Sequence, residues 1–281
     1  MLYSNGITIL HRSQVSIIDL FIVEGVEAIS LSGAVTGIDD FGLVGEEASV
    51  SGPADELLPA PGAGFSRVSS GEQVLQYVRW QIFDGVLRQG QRVPQDAIAK
   101  TLGVSRIPVR EALIALEREG WITIVPHRGA FVNRLDENAV RDHFELFGLV
   151  YGFAVRRALE RQGDTLASQL TPIQKRIAAA GEDSDEMFGA AFAFHRTVVA
   201  AANSPRLRTL LRQVSTIVPG NFFELVPGAS RLEKQGAAVI MRAIRRQDAE
   251  GAAQAYTEMM RKQGDLVVSL FRAKGIFEAA A

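Results

Sequence analysis

Arg106 and Arg110 stand four residues apart in the run LGVSRIPVREALIALEREGWITIVPHRGAFVN. On a helix that spacing places two guanidinium groups on one face. A guanidinium can pair bidentately with a guanine edge or hold a phosphate oxygen. Downstream, His127, Arg128 and Gly129 make a second basic group at a turn, suited to phosphate or minor-groove contact. On any helix, an arginine pair is more often a solvated face carrying ion pairs, here with neighbours such as Glu111 and Glu117. The elements that must position these side chains tip the balance towards chemistry.

Ile98, Ala99 and Leu102 give a short helix an apolar face, and Gly103 ends it by permitting a positive φ. Ser105 suits the N-cap of the next helix, and Pro108 falls in its first turn, where a missing N–H costs little. Val109, Ala112, Leu113 and Leu116 recur at helical spacing and are expected in the core. Gly120 closes this helix. Trp121 to Val125 predicts a strand, Pro126 to Gly129 a turn, and Ala130 to Asn133 a return strand. That order of parts is a winged helix-turn-helix over residues 69–134. Ser105, Arg106, Ile107, Pro108 and Arg110 then form the end of the second helix that such a unit presents to base edges.

The net charge of −2 looks unsuited to a polyanion until it is divided along the chain. Residues 1–64 carry −8, residues 65–134 carry +4 and the remainder +2, so the positive density coincides with the candidate reading helix. At 281 residues the chain suits about two domains, each with its own core. It has no cysteine, which excludes disulfides and thiolate metal sites. No run of about 18 uncharged apolar residues occurs, so no membrane span is expected, and the expected location is cytoplasmic.

After Asn133 the pattern reads helical, with helices expected near 137–162, 165–181, 185–202, 205–217, 230–246 and 248–273. Six such helices predict an antiparallel bundle, so the fold class is mainly α, a winged helix-turn-helix followed by an all-α bundle over 135–275. Ser69 and Glu72 have capping-box spacing where the ordered pattern begins. Residues 1–68 show no persistent period, and SGPADELLPAPGAGFS reads as a flexible linker. Two explanations stand for this extension: a poorly ordered arm, or a start assigned too far upstream. We favour the second.

LGVSRIPVREAL followed by LEREGWITIVPHRGAFV resembles the DNA-binding signature of GntR-family bacterial transcription regulators. ELFGLVYGFAVRRALERQ, FHRTVVAAANSPRL and AIRRQDAEGAA resemble the helical effector domain of that family's FadR-type branch, the FCD domain. The resemblance covers roughly residues 70 to 272. Many FCD domains hold a divalent metal through one aspartate and three histidines, and this implies where donors should sit. His195 matches one histidine, but Ala191, Ala237 and Met259 occupy the other three places, and Phe147 stands where an arginine is frequent. One imidazole cannot hold zinc or nickel usefully. No metal or other cofactor is therefore expected. These five residues are instead expected around an apolar, acyl-type or carboxylate effector, against the plainer reading that they fill the bundle core.

No nucleophile with its base, no phosphate-binding glycine loop and no metal cluster is visible, so the sequence does not read as an enzyme. A pure protein-interaction bundle would leave Arg106, Arg110 and the wing without a role. The resemblance implies a homodimer binding a palindromic operator, with a small-molecule effector altering operator affinity and repression as the expected sign.

Overall fold

The computed structural model describes residues 69–182, 185–213 and 217–277, all within one compact unit. The expectations for residues 1–68 lie outside these residues.

The first part opens with α1 (Ser70–Phe83), whose N-cap Ser69 accepts a hydrogen bond from Glu72 N at 3.1 Å. This is half of the expected capping box: the Glu72 carboxylate instead accepts from Gln76 Nε2 at 2.8 Å. Next come α2 (Gln95–Leu102), a turn at Gly103 with φ of 64°, and α3 (Arg106–Arg118). Two antiparallel strands follow, β1 (Ile122–Val125) and β2 (Gly129–Val132), in register Ile122 to Val132 and Val125 to Gly129. Residues 90–93 run along the other edge of β2: Gly90 N and Val93 N donate to Val132 and Ala130 carbonyls, and Val132 N donates to Gln91 O. The wing thus gains a third extended segment that the sequence pattern did not reveal. Val74, Val78, Ile98, Val109, Leu113, Leu116, Trp121 and Ile122 form the core of this part.

The second part comprises α4 (Glu137–Gln162), α5 (Asp164–Ala179), α6 (Asp185–Ala201), α7 (Pro205–Gln213), α8 (Phe222–Leu225), α9 (Ala229–Arg245) and α10 (Ala249–Ala273). Six of these match the expected helices. The single-turn α8, capped by the Asn221 side chain, was not expected, because four residues are too few to show a period.

Helices α4 and α10 pack antiparallel along their length. The pairs Glu137–Arg272, Arg141–Asp265 and Arg156–Glu250 mark the register. Between them Gly148 lies so close that an added Cβ would stand 2.8 Å from Thr257 Cα. Gly152 and Gly264 make similar approaches to Ala253 and Phe144. Absent side chains let two backbones meet and bury Tyr151, Ala154, Val155, Tyr256, Val267 and Val268.

The two parts meet where α1 ends and α10 ends. Phe83 is buried in the bundle core, edge-on to Phe271 at 5.9 Å, with Lys274 Nζ 4.3 Å above its ring. Lys274 also pairs with Asp84 at 3.0 Å. Gln89 Nε2 donates to the carbonyls of Leu135, at 2.6 Å, and Ile276, at 2.8 Å, tying the wing side to both helices at one end of the α4–α10 pair.

Replacing Gly148 by alanine forces a shift against the Thr257 backbone, which is not a flexible neighbour. The expected cost is about 1–3 kcal/mol of stability, read as a lowered midpoint of thermal unfolding. An unchanged midpoint would contradict this account of the α4–α10 contact.

Candidate functional site

Helix α3 buries Val109, Ala112, Leu113 and Leu116 and thereby turns Arg106, Ile107 and Arg110 outward. Ile107 keeps 68% of its surface exposed, unusual for isoleucine and suited to contact with a thymine methyl. Ser105 occupies the N-cap in extended backbone, but its side chain makes no capping hydrogen bond, contrary to the sequence expectation. Its exposed hydroxyl is thus available to a phosphate. Pro108 is half-buried in the first turn.

Arg106 pairs with Asp96 of α2 at 2.9 Å, with both side chains highly exposed, rather than with Glu111 or Glu117. Glu117 instead accepts a hydrogen bond from Ile124 N at 2.7 Å, docking α3 on β1. Arg110 makes no ion pair among the described residues. Arg92, Asp96, Arg106, Ile107 and Arg110 line one concave surface, which brings a third arginine beside the two expected. Sequence reasoning missed Arg92 because its extended segment was not assigned. Ser105 and Pro108 flank this concavity rather than line it.

His127, Arg128 and Gly129 form the wing tip, also outside that concavity. His127 has φ of 60° and Gly129 φ of 106°, with Arg128 N donating to Val125 O at 3.0 Å. Pro126 followed by a positive φ is the pattern of a type II turn, and it leaves His127 and Arg128 exposed. The Arg92 guanidinium lies over Gly129, where an added Cβ would meet Nε at 2.8 Å.

A small cavity of about 50 Å³ lies inside the bundle, lined by His143, Phe144, Phe147, Tyr151, Ala191, His195, Phe222, Phe223, Glu233, Met260 and Gln263. His195, Ala191 and Phe147 are therefore together, as the sequence reading had them. Ala237 and Met259 are buried but do not line the cavity; Met259 packs against Gly236. The polar groups lie one turn away on both helices, Glu233 before Ala237 and Gln263 beyond Met259. Sequence reasoning missed this pair, although a signal existed. Glu233 falls on the apolar stripe Ser230, Ala237, Ile240, Met241, Ile244, and a carboxylate on that stripe must be buried.

Glu233 has none of its surface exposed. Its Oε2 accepts from Gln263 Nε2 at 3.0 Å, and its Oε1 stands 3.1 Å from His195 Nε2. That second contact is close but poorly directed, leaving Oε1 without a well-formed hydrogen bond among the described residues. His195 Nδ1 lies 3.4 Å from the Tyr256 hydroxyl, and Tyr256 stacks on Tyr151 at 5.4 Å. Burial, the neighbouring tyrosine and then Glu233 raise the Tyr256 hydroxyl well above its ordinary value; burial and Glu233 raise Tyr151 likewise. Burial pushes His143 down to about 4. Among the described residues no group of three or more His, Cys, Asp or Glu is placed to hold a metal ion. His195 and Glu233 face each other as two donors, short of the three or four that zinc or nickel requires, so a metal centre does not fit.

The profile of the bacterial regulatory proteins of the gntR family matches residues 70–132, and that of the FCD domain matches residues 142–262. An HTH-type transcriptional regulator of Mycobacterium tuberculosis is 33% identical over 156 residues, 56% of this chain and 64% of the relative. The matched segment thus spans just under two thirds of that curated relative. The gluconate operon transcriptional repressor of Bacillus subtilis is 27% identical over 166 residues, covering 58% of this chain and 67% of the relative. Among solved structures, Escherichia coli McbR/YncC superposes with a TM-score of 0.51 at 20% identity, over 73% of this chain and 99% of that one. This last likeness concerns the fold alone.

An exposed ion pair contributes little to stability, so Asp96→Ala should leave the unfolding free energy within about 0.5 kcal/mol of the parent. Since Asp96 holds the Arg106 guanidinium, the same variant should alter which DNA sequences are preferred. Parental preference in the variant would show that Asp96 does not orient Arg106.

Proposed function

The chain belongs to the gntR family of bacterial regulatory proteins, with an FCD domain after its DNA-binding part. From that premise we propose that it is a sequence-specific DNA-binding transcriptional regulator, controlled by a small molecule held inside the helical bundle. The observation that carries this reading is the shape and charge of α3 and the wing. Arg106, Ile107 and Arg110 face outward at the N-terminal end of a rigid helix, with Arg92 beside them and His127 and Arg128 on the wing. Arginines at that end serve base edges, exposed isoleucine serves thymine methyls, and the wing serves phosphates. The proposed role is regulatory rather than catalytic, and a cytoplasmic location follows from a DNA partner. No helix among the described residues is long and apolar enough to cross a membrane.

The proposal includes a homodimer. Leu146, Leu149 and Phe153 are 57%, 54% and 40% exposed, and their spacing puts them on one face of α4. Three large apolar groups left in water on one helix face support burial against a second copy. Twofold pairing would give two α3 helices and a palindromic operator with half-sites about one helical turn apart. The effector would act by binding with unequal affinity to two arrangements of the winged parts, and repression is the expected sign. For the ligand, the phenylalanines of the cavity favour an apolar body.

Two measurements test this proposal. Binding to the DNA upstream of its own reading frame, with a random duplex as competitor, should weaken by about 1–3 kcal/mol for each of Arg106→Ala and Arg110→Ala. Equal loss on all sequences would assign the arginines to phosphates instead, and no binding even at low salt would remove the reading. In sedimentation, Leu149→Glu should convert a dimer to a monomer; a dimer that persists would place the interface elsewhere.

A further inference from the structure

We propose that the bundle cavity binds a small organic cation, a protonated amine whose ammonium group docks on Glu233 while its carbon body lies among Phe144, Phe147 and Phe222. The inference rests on the effector-controlled reading above and specifies the chemistry of its ligand.

Three polar side chains surround the Glu233 carboxyl group or adjoin its partners. Burial and the neighbouring Tyr151 keep the Tyr256 hydroxyl protonated, and it lies 3.4 Å from His195 Nδ1. The other ring nitrogen, Nε2, faces Glu233 Oε1 at 3.1 Å. Gln263 supplies a neutral N–H to the other carboxylate oxygen. Tyr256, His195, Glu233 and Gln263 thus form a buried chain that leaves Glu233 Oε1 without a well-formed hydrogen bond among the described residues.

The Glu233 carboxyl group is fully buried, beside a cavity whose lining includes neither lysine nor arginine. His143, the other titratable cation in the lining, is held neutral by burial. A buried carboxyl oxygen left without a hydrogen bond is costly, and an ammonium group placed against it relieves the cost. Aromatic faces add to the preference: Phe144, Phe147, Tyr151 and Phe222 surround the same space, and ring faces attract ammonium groups. A carboxylate ligand meets the opposite situation, since it would set a second negative charge beside Glu233. The volume of about 50 Å³ is a few times what one water needs. It suits a short alkylamine, not a long acyl chain.

This combination differs from a purely structural ion pair in one respect. The His195–Glu233 contact is short but misdirected, and Oε1 is left with unused accepting capacity at a cavity wall. A structural pair would close that capacity with a second donor from the protein, as Glu119 and Arg79 do in the winged part, where both carboxylate oxygens are engaged.

The test is calorimetric titration of the full chain, without DNA, with butylammonium, butanol and butyrate at neutral pH. Butylammonium should bind, with butanol and butyrate weaker by about 10- to 100-fold, the range for losing a hydrogen bond to a charged group. Glu233→Gln should lower the butylammonium affinity by a similar factor, and Ala191→Leu, which fills the cavity, should also abolish it. Circular dichroism on both variants checks folding, and the second keeps the test decisive if the first fails to fold. Butyrate binding as tightly as butylammonium would overturn the cation assignment while leaving an effector site in place. Butylammonium binding that survives both variants, or no binding of any of the three, would overturn the proposed site. None of these results bears on operator binding, which is measured separately.

Discussion

Helix α4 lies on α10 with glycines at the contact, and both candidate sites depend on that closeness. Gly148, Gly152 and Gly264 remove the side chains that would otherwise hold the helices apart. The pair then presents His143, Phe144, Phe147 and Tyr151 from one helix, and Met260 and Gln263 from the other, to one internal space. At its opposite extremity the same pair offers the carbonyls of Leu135 and Ile276, flanking α4 and α10, to a single Gln89 side chain of the winged part. A change in how α4 and α10 sit around a ligand therefore has a direct covalent and packed route to the DNA-facing part. A cleft of about 270 Å³ lies at that junction, lined among others by Trp121, Gln89 and Lys274, so the joint is not filled solid.

Within the winged part, orientation is set by a different device. Arg79 of α1 is 3% exposed and engages both oxygens of Glu119, the residue that caps α3. Burying two charges is costly, and here bidentate geometry offsets that cost while fixing the angle between α1 and α3. Because α1 also carries Phe83 into the bundle core, the direction in which Arg106 and Arg110 project is referred back to the α4–α10 pair. Two separate cores are thus joined by a few directed contacts. That is the arrangement expected of a joint that must adopt more than one setting.

Much of this was legible in the sequence, and the parts that were not share a physical reason. The apolar periodicity of α2 to α10 is strong wherever a helix runs several turns, so the six long bundle helices and the turn at Gly103 could be placed. Ile107, Arg106 and Arg110 were legible because the core face of α3 is unambiguous. Residues 90–93 were not, since pairing along β2 uses backbone groups that leave no side-chain pattern. Ser105 has the residue type and backbone of a cap, yet its hydroxyl points elsewhere, a rotamer choice that sequence does not encode. The cavity shows the limit of carrying positions over by resemblance. The expected donor places hold Ala237 and Met259, while the polar pair Glu233 and Gln263 sits one turn along both helices, displaced in the same direction. Only the packed bundle shows that these two side chains meet, at 3.0 Å.

The central claim is that this chain reads a specific DNA sequence as a twofold pair. It is tested most directly by selecting duplexes from a random pool with the full-length protein and sequencing what is retained over successive rounds. The account predicts enrichment of an inverted repeat whose half-sites lie about one helical turn apart. A pool that stays random, or that converges on a single asymmetric site, would contradict it.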